Sequence, residues 1–188
     1  MITEKIGFYF LFVQGFRGAR LIDSERVLRD LRGSFGGVDL QLLRSDRVAG
    51  IEQIVFAARH AVNSFGGKAR RSKHLSMEFL LFASGEHQIV EAIKLLGVDT
   101  SSVELALVGL SETELDSDVL SGEVAKIVQG VPDDTVLEIG TPAKVRALRK
   151  AYNISERELN SSRMTGESEN SVLKRLVIER SALLVLEN

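Results

Sequence analysis

Ten residues near the middle of the chain, "LSMEFLLFAS" (75–84), limit the possible folds more than any other stretch. Apolar side chains fall on every side of this segment, whether it is wound as a helix or extended as a strand. A segment with no face to offer water has to be enclosed by other elements. Periodicity does not separate a short buried helix from a central strand here. Ser76 followed by Met77-Glu78 has the form of a helix start, so a helix is expected. The apolar run stops at Ala83-Ser84-Gly85, and an amphipathic segment follows with Glu86, His87 and Gln88 at its mouth.

The flanking sequence supplies the enclosing elements. Ile51, Ile54, Val55, Ala58, Val62 and Phe65 recur at helical spacing, and Gly66-Gly67 ends that helix. Residues 86–96 read as a helix with Ile89, Ala92, Ile93 and Leu96 on one face, ended by Gly97. Strands are expected at 5–13, stopping at Gly15, at "VDLQLLRS" (38–45) and at "SVELALVGL" (102–110). "DDTVLEIG" (133–140) reads as a short strand. Helices are expected at "SERVLRDLRGSFGG" (24–37), capped by Asp23 or Ser24, and in the second half of the acidic stretch 111–130. A further helix has Pro142 in its first turn. Residues 155–168 are polar and read as a mobile connection or a frayed helix, and a last helix runs over 171–186.

A chain of 188 residues reads as one domain, 1–188, and buries roughly 70% of the surface that its unfolded form exposes. It contains no cysteine, which excludes a disulfide scaffold, a thiol nucleophile and cysteine zinc sites. No apolar run reaches the roughly 18 residues of a membrane span. "IGFYFLFV" (6–13) follows Glu4-Lys5 rather than a basic leader, so it reads as a buried strand of a cytoplasmic protein.

Enzyme signatures are weak. "GGKARRS" (66–72) lacks the glycine frame of a phosphate loop and follows a helix instead of a strand. A small nucleotide-dependent enzyme using Gly66-Gly67-Lys68 remains the alternative from a different class. His60, His74 and His87 sit at no metal-ligand spacing, and no G-x-S-x-G elbow exists. Asp116, Asp118, Asp133 and Asp134 read as caps or solvated turns. No cofactor and no metal are expected.

Charge is distributed unevenly. Net charge is −2, so any nucleic-acid role has to come from a local patch. No acidic residue lies between Glu52 and Glu78, while Arg59, Lys68, Arg70, Arg71 and Lys73 fall inside that window with His60 and His74. The window is either a solvated loop or an electrostatic footprint for a few phosphates. Ser84, Gly85, His87 and Gln88 follow shortly after. A helix starting there points free N–H groups outward and accepts anions or hydroxyls. The plainer alternative is a capped turn between two buried helices. In the last helix, Val172, Leu173, Leu176, Val177, Leu183 and Leu184 form one broad apolar face. Ile178, Ala182 and Val185 form a second stripe almost opposite, which is either buried as well or offered to a partner.

"HLSMEFLLFASGEHQIVEAIKLLGV" (74–98) resembles the central signature of the kinase-binding subunits of the KEOPS/EKC complex, the TPRKB type. In that family a helix ending in a Ser-Gly turn leads into a Gln-Ile-x-x-Ala-Ile helix. "GFRGAR" (15–20), "DDTVLEI" (133–139) and "VLKRLVIERSALLVLE" (172–187) resemble archaeal members in the same order along the chain. His87 stands where those members often carry arginine. The resemblance implies a non-catalytic accessory protein whose partners are the small atypical kinase/ATPase of KEOPS, transfer RNA and, indirectly, the other KEOPS subunits. It implies support of threonylcarbamoylation of adenosine 37 in ANN-decoding tRNAs, and a grip on the single-stranded CCA 3′ end. With it, Arg59, Lys68, Arg70, Arg71, Lys73, Ser84, Gly85, His87 and Gln88 are expected to bind tRNA, and Ile178, Ala182 and Val185 to bind the kinase. A scaffold that binds only protein is the third reading. The expected architecture is α/β of the α+β kind: a single domain whose small mixed or antiparallel sheet packs against several helices.

Overall fold

Alternating side chains in three long strands give one sheet two apolar faces, and helices cover both. The computed structural model describes residues 1–67 and 70–186, with side chains described as far as Leu184. The strands are β1 (Ile2–Ile6), β2 (Tyr9–Arg17), β3 (Val38–Arg44), β4 (Glu104–Ser111) and β5 (Val131–Pro132). They pair antiparallel in the order β1-β2-β4-β3, with β5 against the end of β2. The helices are α1 (Ser24–Ser34), α2 (Ile51–Phe65), α3 (Leu75–Ser84), α4 (Ile89–Leu96), α5 (Ser117–Val128), α6 (Pro142–Ala151), α7 (Glu156–Ser162) and α8 (Glu169–Leu186).

Period-two alternation assigns each strand residue to a face. Leu11, Val13, Leu43, Ala106, Val108 and Leu110 pack with α2 and α3. Phe12, Phe16, Leu40, Leu42, Leu105 and Leu107 pack with Leu31 of α1 and with Leu120, Val124 and Val128 of α5. A third cluster joins Leu148 and Tyr152 of α6, Leu159 of α7, and Val172, Leu173, Leu176 and Val177 of α8. Helix α3 lies among the sheet, α2, α4 and α8. Its residues from Glu78 to Ser84 are all buried, which is the enclosure its sequence requires.

Three sequence expectations change. The first strand is a hairpin instead of one strand over 5–13: the chain reverses at Gly7, whose φ is +60°, and Phe8. Gly15 does not stop the second arm but lies within it. A Cβ there would sit 2.3 Å from the Asp133 carbonyl oxygen, so glycine is what lets the two backbones meet. The Asp133 N–H donates to the Gly15 carbonyl at 2.8 Å, and the Gly15 N–H donates to Asp134 Oδ1 at 2.8 Å. Around "DDTVLEIG" the chain is a 3-10 turn over Asp134–Leu137, capped by the Asp133 carboxylate on the Thr135 N–H. The third change is that α4 begins at Ile89, three residues later than expected. The polar segment 155–168 carries the short helix α7.

A buried lysine secures that 3-10 turn to α6. Lys144 is 7% exposed, and its ammonium donates to the carbonyls of Val136 at 2.6 Å and Leu137 at 2.9 Å. Burial lowers its pKa to about 8. Between pH 8 and pH 10 the unfolded chain therefore binds more protons at this group than the folded one, so its contribution to stability rises with pH. From pH 7 to pH 10, urea titrations of the wild type and Lys144→Met are expected to diverge in favour of the wild type by about 2 kcal/mol.

Candidate functional site

The glycine at position 85 closes α3 and brings α8 onto the α3–α4 junction. Gly85 has φ +71°, and its N–H donates to the Leu81 carbonyl at 2.9 Å. A Cβ there would sit 2.8 Å from the Arg180 carbonyl oxygen, so what approaches Gly85 closely is the backbone of α8. Ser84 is 3% exposed. Its hydroxyl donates to the Leu81 carbonyl at 3.0 Å and accepts from the Glu86 N–H at 3.2 Å. The donors just after Ser84 are thus used inside the turn. The outward N–H groups belong to the first turn of α4, where Gln88 is the N-cap residue and its side chain makes no capping bond. His87 and Gln88 are exposed beside it.

Around this junction lies a cleft of about 290 Å³, and Ser84, Gly85 and His87 line it together with Tyr152, Asn153 and Arg180. Leu95, Leu183 and Leu184 add an apolar wall. Leu183 is 52% exposed, although helical periodicity placed it on the core face of the last helix. The floor is rigid. Gln53 Nε2 donates to the Ala83 carbonyl at 2.8 Å and to the Tyr152 hydroxyl at 2.7 Å, and that hydroxyl donates to the Arg47 carbonyl at 3.1 Å. Burial pushes the Tyr152 phenol well above its ordinary pKa, so the hydroxyl keeps its proton and this network. Asn153 stands at φ +51°, a left-handed position that asparagine tolerates better than most residues.

The basic window is held by the acid that ends it. Glu78 is fully buried. Its carboxyl accepts from Ser64 Oγ at 2.7 Å and from the N–H groups of Arg71 at 3.1 Å and Ser72 at 2.8 Å. Arg71 and Ser72, which lead into α3, are thereby held against it. Arg70 stacks on Phe65 at 4.0 Å and donates to the carbonyls of Ser72 and Lys73. The Arg71 guanidinium lies over Phe82 and donates to the Leu184 carbonyl at 3.4 Å. Leu184 also lines the cleft, so it connects the basic loop to the Ser84–His87 turn. Lys73 is exposed. Arg59 pairs with Glu4 of β1, a partner that the local acid-free window did not reveal. Burial between Phe56 and Phe82 lowers the His60 pKa, which keeps it neutral at pH 7. Lys68 lies outside the described residues. Gly66 caps the C-terminal end of α2, where the helix dipole is negative, the wrong end to cradle a phosphate.

On α8, Val172, Leu173, Leu176, Val177, Ser181 and Leu184 are buried, while Ile178 and Ala182 are half-buried. The Val185 side chain lies outside the described residues. Among the described residues no His/Cys/Asp/Glu group is arranged to hold a metal, and no helix is long and apolar enough to cross a membrane.

A family model described as "Kinase binding protein CGI-121" matches residues 24–184. The chain belongs to the CGI-121 family. Regulatory protein Cgi121 from Methanocaldococcus jannaschii is 30% identical over 144 residues, which cover 77% of this chain and 85% of that protein. The CGI-121 match takes in the basic loop, the cleft and all but the last two residues of α8, and leaves out the N-terminal hairpin. Sequence reasoning missed four residues of this region: Tyr152, Asn153, Arg180 and Glu158, which pairs with Arg180. Each is remote in sequence from Ser84, and the only local sign was the Tyr152-Asn153 end of a helix.

Proposed function

We propose that this CGI-121 protein is a non-catalytic accessory subunit of a KEOPS-type complex that binds its atypical kinase and tRNA. It supports threonylcarbamoylation of adenosine 37 in ANN-decoding tRNAs by holding the single-stranded CCA 3′ end. Kinase binding follows from the family. The observation that carries the RNA reading is the continuity of the basic loop with the Ser84–His87 cleft through Arg71 and Leu184. A single-stranded end is recognised by stacking, edge hydrogen bonds and phosphate contacts. The cleft offers an apolar wall and polar groups, and Arg70, Arg71 and Lys73 offer charge.

The deciding measurement is binding of intact tRNA against tRNA without its CCA end. Loss of the end is expected to weaken binding at least tenfold, on the order of 1.4 kcal/mol; equal affinities refute 3′-end recognition. Lys73→Ala, a change of one exposed side chain, is expected to flatten the salt dependence by about 0.7 in log–log slope. A chain that binds kinase but no RNA with either end would instead support the protein-only scaffold.

The kinase surface is assigned to the α8 stripe of Ile178, Ala182 and Val185. Ile178→Asp is expected to abolish co-elution with the kinase while the far-UV circular dichroism stays native. An unfolded variant would mean that the stripe belongs to the core.

A further inference from the structure

Arg180 is the sole arginine or lysine among the described residues that line the cleft, and it is already occupied. Its Nη2 donates to Glu158 Oε1 of α7, in a pair whose side chains are 32% and 28% exposed. The backbone around Glu158 is fixed. Ser155 Oγ accepts from the Glu158 N–H at 3.1 Å, Leu159 is 2% exposed, and Arg175 donates to the Ser162 carbonyl at 2.7 Å. The side chain is therefore the part of this arrangement that can swing away while α7 stays in place.

We propose that Arg180 is the anion-binding residue of the cleft and that Glu158 is its internal competitor. This rests on reading the cleft as the site of an RNA end. Carboxylate and phosphate make the same demand on a guanidinium, two oxygens in its plane. A terminal phosphodiester can take the place of the Glu158 carboxylate without leaving Arg180 unpaired, whereas a neutral ligand cannot. The pair thus keeps a half-buried cation satisfied in the free protein and admits only ligands that bring their own negative charge. Glu86, also in the lining, adds to the selection against weakly bound anions. Segment 155–168, set aside in the sequence as a polar connection, becomes the regulator of the cleft.

The test uses the full-length protein and two labelled RNA oligonucleotides, one ending in CCA with a free 3′ hydroxyl and one without CCA. Glu158→Gln is expected to tighten binding of the CCA oligonucleotide about two- to fivefold, the upper range of a partly exposed ion pair. Arg180→Ala is expected to weaken it about tenfold or more. The double variant should match Arg180→Ala alone, because removing Glu158 helps only through Arg180. A purely structural role for the pair would instead change melting temperature without this non-additivity. Glu158→Asp, which retracts the carboxylate but keeps its charge, should give an intermediate gain and serves if Glu158→Gln fails to fold. If the wild type does not distinguish the two oligonucleotides, the RNA reading falls and this proposal with it. If it does and Glu158→Gln binds like the wild type, the competitor role alone is overturned.

Discussion

Gly85→Val is expected to destabilise the protein by about 2–5 kcal/mol, from left-handed strain in a β-branched residue plus overpacking against a backbone. In a chain of this size that corresponds to a fall in melting temperature of roughly 5–15 °C. The cause is specific to the site. Gly85 stands at φ +71°, and a Cβ there meets the Arg180 carbonyl oxygen at 2.8 Å. A backbone atom of a packed helix cannot rotate out of the way as a side-chain end can. Helix α8 would have to lift from the α3–α4 junction, and the cleft would open with it. The control is Gly122→Ala in α5, where an added Cβ meets nothing within 4 Å. That change is expected to stabilise by about 0.5–1 kcal/mol through helix propensity. A Gly85→Val protein with native melting and RNA binding would show that α8 does not bear on this turn.

Glu78→Ala is the second large effect, with an expected loss of about 3–5 kcal/mol. It strips hydrogen-bond acceptors from the Ser64 hydroxyl and the N–H groups of Arg71 and Ser72 in a place that water does not reach. The loop that presents Arg70, Arg71 and Lys73 should detach, so limited trypsin digestion should cut after Arg70 and Arg71 at low enzyme concentration. Glu78→Gln should cost only about 1 kcal/mol. Oε2 serves both N–H groups, and an amide nitrogen in the place of Oε1 can donate to the Ser64 oxygen. Equal loss in the two variants would mean that the carboxyl acts through its charge rather than its acceptor geometry.

Both predictions concern residues whose importance was only half readable. The apolar run 75–84 announced its own burial, and Ser76-Met77-Glu78 signalled its helical form. Glu78, inside that run, looked like part of a helix start and the end of an acid-free window. That it faces inward and organises the basic loop depends on Ser64 and on two N–H groups that exist only after the chain has turned back. The hairpin of β1 and β2 was hidden for a different reason. Gly7-Phe8 is a glycine-first pair and not the stronger Asn-Gly or Asp-Gly signal of a two-residue turn, and the apolar residues run on through it. Likewise the 3-10 turn at 134–137 looked like a strand because Val136 and Leu137 are buried there by contacts instead of by pairing in the sheet.

The sequence by itself determined the elements whose apolar period is regular and the terminators beside them, α2, α5, α6, β3 and β4; α3 was legible from its unbroken apolarity and its helix-start residues, and α8 from its length and two apolar sides. It also determined the polar character of the Ser84–Gln88 turn and the local excess of positive charge before it. These are properties of neighbouring residues, and neighbours along the chain are enough to express them. Only the tertiary structure decided which groups meet at that turn. Arg180 comes to Ser84 because α8 packs against the glycine that ends α3, Tyr152 because the end of α6 is tied to Gln53, and Glu158 of α7 through its pair with Arg180. Such a meeting depends on backbone approach and on the absence of a Cβ, and no pattern of apolar and polar residues encodes it locally.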